Sequence, residues 1–128
     1  MKRTHDNFYL SENNKIVKDS FVAVADVISR QNFSSVADVG CATGAFPRYL
    51  KSRFPNNEIE GIEYLDTLLA KASKDFPDIS FMKGNVLDKE SVSKRFDVIT
   101  MLGVLCIFDD YHIVLKNVLS WLKPKGRL

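Results

Sequence analysis

An open, doubly wound parallel α/β sheet is the fold this sequence predicts, and three observations predict it. Short apolar runs alternate with amphipathic helical segments along the chain. The first strand-like run, Val36-Ala37-Asp38-Val39, opens into a loop of small residues with glycines at both ends, Gly40-Cys41-Ala42-Thr43-Gly44. The second, Ile59-Glu60-Gly61-Ile62, ends at the carboxylate of Glu63. Right-handed crossovers of strand, helix and strand place successive strands side by side with helices on both faces.

The elements follow in order. Over residues 14–31, apolar Ile16, Val17, Phe21, Val24, Val27 and Ile28 recur at helical spacing between charged residues, giving an amphipathic helix ahead of the first strand. Residues 36–39 form that strand. Residues 45–54 read as a helix that tolerates Pro47 in its first turn, turns Tyr49, Leu50 and Phe54 inward, and closes at Pro55-Asn56-Asn57. After the second strand, 59–62, Asp66 is placed to cap a helix running through Leu68, Leu69, Ala72 and Phe76, and Pro77-Asp78 ends it. A third strand over 79–82 leads through Gly84-Asn85 to a short polar helix at 90–94. A fourth, 96–102, is almost wholly apolar and is expected to be buried on both faces. Residues 110–122 form the last helix, with Ile113, Val114, Val118, Leu119, Trp121 and Leu122 for the core, and Pro124-Lys125-Gly126 turns after it.

With 128 residues, 45% of them hydrophobic, the chain can bury one core, so it is one domain. Its 18 basic and 16 acidic residues are spread evenly, so there is no stripe of the kind that neutralises a phosphate backbone and no nucleic-acid signal. No apolar run reaches the roughly 18 residues of a membrane span, and the first residues lack the apolar segment of a signal peptide, so a cytoplasmic protein is expected. Cys41 and Cys106 fit no zinc or disulfide spacing and read as small packing residues; no metal site is expected.

A glycine-bounded loop after a strand lets a ligand approach the backbone, and a carboxylate ending the next strand is where nucleotide-binding α/β units hold ribose hydroxyls. The NAD fingerprint would need glycines at the first, third and sixth loop positions, which here hold Gly40, Ala42 and Ala45. The glycine that admits a pyrophosphate is missing, and Asp38 suits a cationic ligand better than a diphosphate.

With Asp38, Gly40 and Gly44 matching its first motif, the chain resembles the class I S-adenosylmethionine (SAM)-dependent methyltransferases, which are Rossmann-like. Ala42 stands where many members have a middle glycine. The resemblance covers the chain from about Asn14 and implies SAM as cofactor, with S-adenosylhomocysteine as product. It implies that Asp38 orders the loop Gly40, Cys41, Ala42, Thr43, Gly44 and approaches the methionine ammonium; the carboxylate could instead accept backbone hydrogen bonds. Glu63 would accept both ribose hydroxyls, one per oxygen, and Tyr64 would cover one adenine face. Asn85 either meets the adenine amino group, with the Val86 N–H facing the adjacent ring nitrogen, or makes a plain turn. Met101 and Leu102 end the fourth strand where a main-chain carbonyl could take the ammonium. Phe8 and Tyr9, in an N-terminal segment over residues 1–13, could form a lid; His5 and His112 read as terminal and surface groups, and no catalytic base stands out.

The resulting expectation is a SAM-dependent methyltransferase acting on a small-molecule acceptor, its cofactor-binding domain spanning residues 14–128. A SAM-binding fragment or subunit that needs a partner for catalysis is the alternative. By the resemblance, the sheet is expected to be truncated before the fifth strand. That would expose the edge of the fourth strand and favour a homo-oligomer formed through it.

Overall fold

The computed structural model describes residues 15–128. Helix α1 (Lys15–Ser29) precedes five strands, β1 (Ser35–Val39), β2 (Glu58–Glu63), β3 (Ser80–Lys83), β4 (Phe96–Met101) and β5 (Leu122–Arg127). Helices α2 (Ala45–Arg53), α3 (Asp66–Asp75) and α4 (Tyr111–Leu119) make the crossovers, with 3₁₀ turns at Lys89–Ser91 and Leu105–Ile107. All strands run parallel in the order β3-β2-β1-β4-β5. The order reverses between β1 and β4, so the crevice at their carboxyl ends is where such sheets bind ligands.

Alternation along the central strands divides the core into two layers. Val36, Ile59 and Val98 face α1 and α2, which bring Val17, Phe21, Ala25, Ile28, Phe46 and Leu50. Phe21 and Phe46 meet there with ring centroids 4.7 Å apart. Ala37, Val39, Ile62 and Ile99 belong to the opposite layer, filled by Val114, Val118 and Trp121. Ile113 and Leu119, expected in the core, are 48% and 49% exposed. Helix α4 ends at Leu119 rather than at 122, and its buried stripe runs through Val114, Asn117 and Val118. Ile16 and Val27 are likewise exposed, leaving Val17, Phe21, Ala25 and Ile28 as the inward row of α1. Asp66 is the first residue of α3 rather than its cap; its carboxylate takes Lys83 Nζ at 2.9 Å.

The fifth strand corrects the expected truncation. The segment read as a turn does turn, with Pro124 lacking an N–H and Lys125 at φ 66°. The chain nevertheless returns to the sheet: Leu122 pairs with Phe96 and Arg127 with Val98, the residues between them bulging out. The β4 edge from Phe96 to Val98 is therefore paired by the chain itself. Ile99 turns its side chain into the second core layer. His5, Phe8 and Tyr9, and with them the lid expectation, lie outside the described residues.

A polar latch closes the amino end of the sheet. Asp97 Oδ2 accepts from Ser34 N (2.9 Å), Ser34 Oγ (2.7 Å) and Ser35 N (3.1 Å), while the Asp97 N–H donates to Ser35 Oγ. Lys123 of β5 lies 3.7 Å from Oδ1. The Ser34 hydroxyl and amide hold the Asp97 carboxyl at about 2, well below its ordinary value. A depressed carboxyl stabilises the fold above its unfolded value near 4, and that contribution is lost as pH falls toward 2. Asp97→Ala should cost about 2 kcal/mol, the scale of hydrogen bonds to a charged group reduced for partial solvent screening. Urea titrations at pH 7 and pH 3 check this: the gap between parent and variant should shrink at the lower pH.

Candidate ligand-binding site

The carboxyl ends of β1, β2 and β4 converge on the Gly40–Gly44 loop. Gly40 and Gly44 adopt φ of 77° and 90°, a region that costs an L-residue about 1 kcal/mol or more. Ala42 also sits there, at φ 52°. Space adds to the constraint: a β-carbon on Gly40 would fall 2.3 Å from Val104 Cγ2, and one on Gly44 would fall 2.8 Å from the Phe81 ring. Both glycines thus answer to backbone shape and to protein neighbours packed over them.

The loop amides turn inward. Gly40 N and Cys41 N both donate to Ile62 O, at 2.8 and 3.1 Å, and Gly44 N donates to Cys41 O. Ala42 N donates to Glu63 Oε1 at 2.9 Å, while Tyr64 N and Leu65 N donate to Glu63 Oε2 at 2.8 and 2.9 Å. It is Glu63, rather than Asp38, that orders the loop. A carboxylate offers about four acceptor positions, so these three amides leave room for one more donor, on Oε1.

Asp38 is paired instead across the sheet. Thr100, its register partner on β4, donates Oγ1 to Asp38 Oδ1 at 2.8 Å, both side chains being buried. Burial pushes the Asp38 carboxyl up to about 7, against the Thr100 hydrogen bond, and the nearby Glu63 charge adds to the rise. Burial and the same two carboxylates push the Cys41 thiol up as well, which leaves it a packing residue. Among the described residues, no Lys, Arg or His forms an ion pair with Asp38 or Glu63. Among the described residues, these two carboxyl groups at the base of the crevice lack a cation.

Beside this pair, Tyr64 is 53% exposed, its ring 5.4 Å from Lys83 Nζ. Asn85 makes the turn: its Oδ1 accepts from Leu87 N at 2.9 Å, and its N–H donates to Ser91 Oγ. Val86 O accepts from the buried Asn117 Nδ2 at 2.8 Å, and Trp121 Nε1 holds Lys89 O at 2.9 Å. The Val86 N–H has no partner among the described residues. Met101 and Leu102 are half-buried at the end of β4, and Thr43 in the loop is half-buried too. Cys106 and His112 are exposed, the latter lying against Tyr111. The expected site residues lie at the carboxyl ends of β1, β2, β3 and β4 and in the segments that follow them. Sequence reasoning missed Thr100, a lone hydroxyl in an apolar strand opposite Asp38, and Asn117, a lone amide on a buried helix face.

A family model described as "Methyltransferase domain" matches residues 36–126. A demethylmenaquinone methyltransferase of Thermotoga maritima is 32% identical over 105 residues, 82% of this chain and 46% of that protein. A trans-aconitate 2-methyltransferase of Escherichia coli is 29% identical over 98 residues, 77% of this chain and 38% of that protein. The chain spans less than half the length of these two relatives. Among solved structures, a SAM-bound amino pentose methyltransferase from Micromonospora echinaspora superposes with a TM-score of 0.76 at 24% identity. That likeness covers 97% of this chain and 53% of the other, and it shows the shared fold.

The raised Asp38 carboxyl has a consequence for stability. Its unfolded value is near 4, so the folded state binds the extra proton between about pH 4 and pH 7, and stability falls as pH rises through that window. Asp38→Asn keeps an oxygen for Thr100 and removes the charge. Thermal melts between pH 5 and pH 8 should show the parent losing stability and the variant changing less, with the variant at least as stable at pH 8.

Proposed function

The chain belongs to the methyltransferase-domain family of class I SAM-dependent enzymes, and from that premise we propose that the crevice binds SAM for methyl transfer to a small-molecule acceptor. The observation that carries the proposal is the set of groups converging there: two buried carboxyl groups without a cation and a Val86 N–H without a partner among the described residues, and an exposed Tyr64 ring. They match a ligand with positive charge at one end and a nucleobase at the other. A diphosphate does not suit the same crevice, because Gly40, Cys41 and Ala42 spend their amides on Ile62 and Glu63 and the two carboxylates would repel it.

In this reading, Oε1 of Glu63 takes one ribose hydroxyl, Tyr64 covers an adenine face, and the Val86 N–H meets a ring nitrogen. Asn85 contributes mainly by shaping the turn, since its oxygen already serves Leu87. Asp38 and a carbonyl of Met101 or Leu102 favour the ammonium. The bound cofactor supplies an activated methyl on sulfur, so the protein's task is alignment and exclusion of water. The acceptors after which the two relatives are named, a demethylmenaquinone and trans-aconitate, support a small molecule as acceptor.

Calorimetric titration with S-adenosylhomocysteine should give saturable one-to-one binding. Ligand-side deletion tests the ribose contact without disturbing the loop. Of the 2′-deoxy and 3′-deoxy analogues, one should bind weaker by about 1.5–3 kcal/mol, tenfold or more, and the other should bind nearly as the parent. Equal losses for both would return the contact to two hydroxyls, and no loss for either would remove Glu63 from the ribose site. Transfer of labelled methyl from SAM to a panel of small carboxylates, phenols and amines tests the reaction itself; binding without transfer to any of them would favour a SAM-binding module.

A further inference from the structure

Asp38 and Glu63 are the same kind of group in unlike surroundings. Three backbone amides compensate Glu63, whereas among the described residues Asp38 is met by one neutral hydroxyl, that of Thr100. The groups around Asp38 can be named element by element. The end of β2 brings Glu63, the loop brings the Cys41 thiol, and β4 brings Thr100. Helices α1 and α2 turn apolar Val17, Phe21, Ala25, Ile28, Phe46 and Leu50 into the core beneath. None of these supplies a positive charge, so within the described residues the Thr100 hydrogen bond is what favours the ionised form of Asp38, and a cation entering the crevice would add to it.

We propose that Asp38 gives up a proton to solvent when the site takes up its cationic cofactor, and that Thr100 is the positioning residue that sets the pH at which this happens. The proposal rests on the SAM-binding reading given above. SAM brings an ammonium and a sulfonium, while S-adenosylhomocysteine brings the ammonium alone. The neighbouring positive charge favours the carboxylate over the carboxylic acid, and the extra charge of the sulfonium favours it more. In the free protein the carboxyl titrates at about 7, so near neutrality it is divided between the two forms and the exchange is measurable. Thr100 acts by donating to the carboxylate: without its hydroxyl the ionised form loses its hydrogen bond and the titration moves upward.

Titration calorimetry of the full chain at pH 7, in two buffers of different ionisation enthalpy, reads the proton directly. With SAM, up to about half a proton should be released per site, and with S-adenosylhomocysteine less. SAM affinity should rise up to about tenfold between pH 6 and pH 7.5, a range chosen because a ligand α-amino group titrates near 8. Asp38→Asn should abolish the release and flatten the profile. Thr100→Val should shift the profile to higher pH, and Thr100→Ser should restore it. Tight binding with buffer-independent heats in the parent would overturn the proposal while leaving the SAM site standing. A Thr100→Val variant that binds more weakly with an unmoved profile would reduce Thr100 to a packing role and overturn its part. Failure of both ligands to bind at any pH would overturn the reading and the proposal together.

Discussion

One carboxylate holds the site in shape. Glu63 gathers the amides of Ala42, Tyr64 and Leu65, and the preceding carbonyl, Ile62 O, gathers those of Gly40 and Cys41. A loop with three consecutive buried or half-buried amides could not persist at the end of a strand with those donors unpaired, since each would cost about 1–3 kcal/mol. The end of β2 thus fixes the loop after β1 and the entry to α3 at once. Burial makes Asp38 and Cys41 reluctant to ionise, and the neighbouring Glu63 charge adds to that reluctance.

Much of this was legible in the chain because it depends on local pattern. Alternating apolar runs gave the strand and helix order, and the glycines at 40 and 44 marked positions that the backbone holds in left-handed conformations. Ala42 shares that conformation, which explains why a middle glycine suits the position. What was not legible depends on partners distant in sequence. Thr100 looks like one more β-branched strand residue until β1 places Asp38 opposite it. Residues 122–127 carry Pro124 and a glycine, the signature of a turn, and only pairing with Phe96 and Val98 makes them a strand. Ile113 and Leu119 satisfied helical periodicity but lie beside the stripe that packs, because the inward direction of α4 is set by Val114, Asn117 and Val118.

The two aspartates at opposite ends of the central strands show how burial and donors compete. Asp97, met by the amides and hydroxyls of Ser34 and Ser35 near solvent, is held acidic; Asp38, buried with one hydroxyl, is not. The first ties β1, β4 and β5 together at the end away from the crevice. The second leaves an electrostatic deficit at the end that faces a ligand. In the proposed reading the ligand lies at the end of the sheet away from the Asp97 latch, an arrangement parallel sheets permit because all strand termini of one kind lie together.

Val104 is the first residue past Gly103 in the segment that follows β4, and its methyl occupies the space where a side chain on Gly40 would stand. Two loops far apart in sequence therefore share a single van der Waals volume. A side chain at position 40 would need a smaller residue at 104 and would still bear the cost of φ 77°. The loop after β4 is, in that sense, part of the glycine loop's own steric code, and any remodelling of one to suit a new ligand carries the other with it.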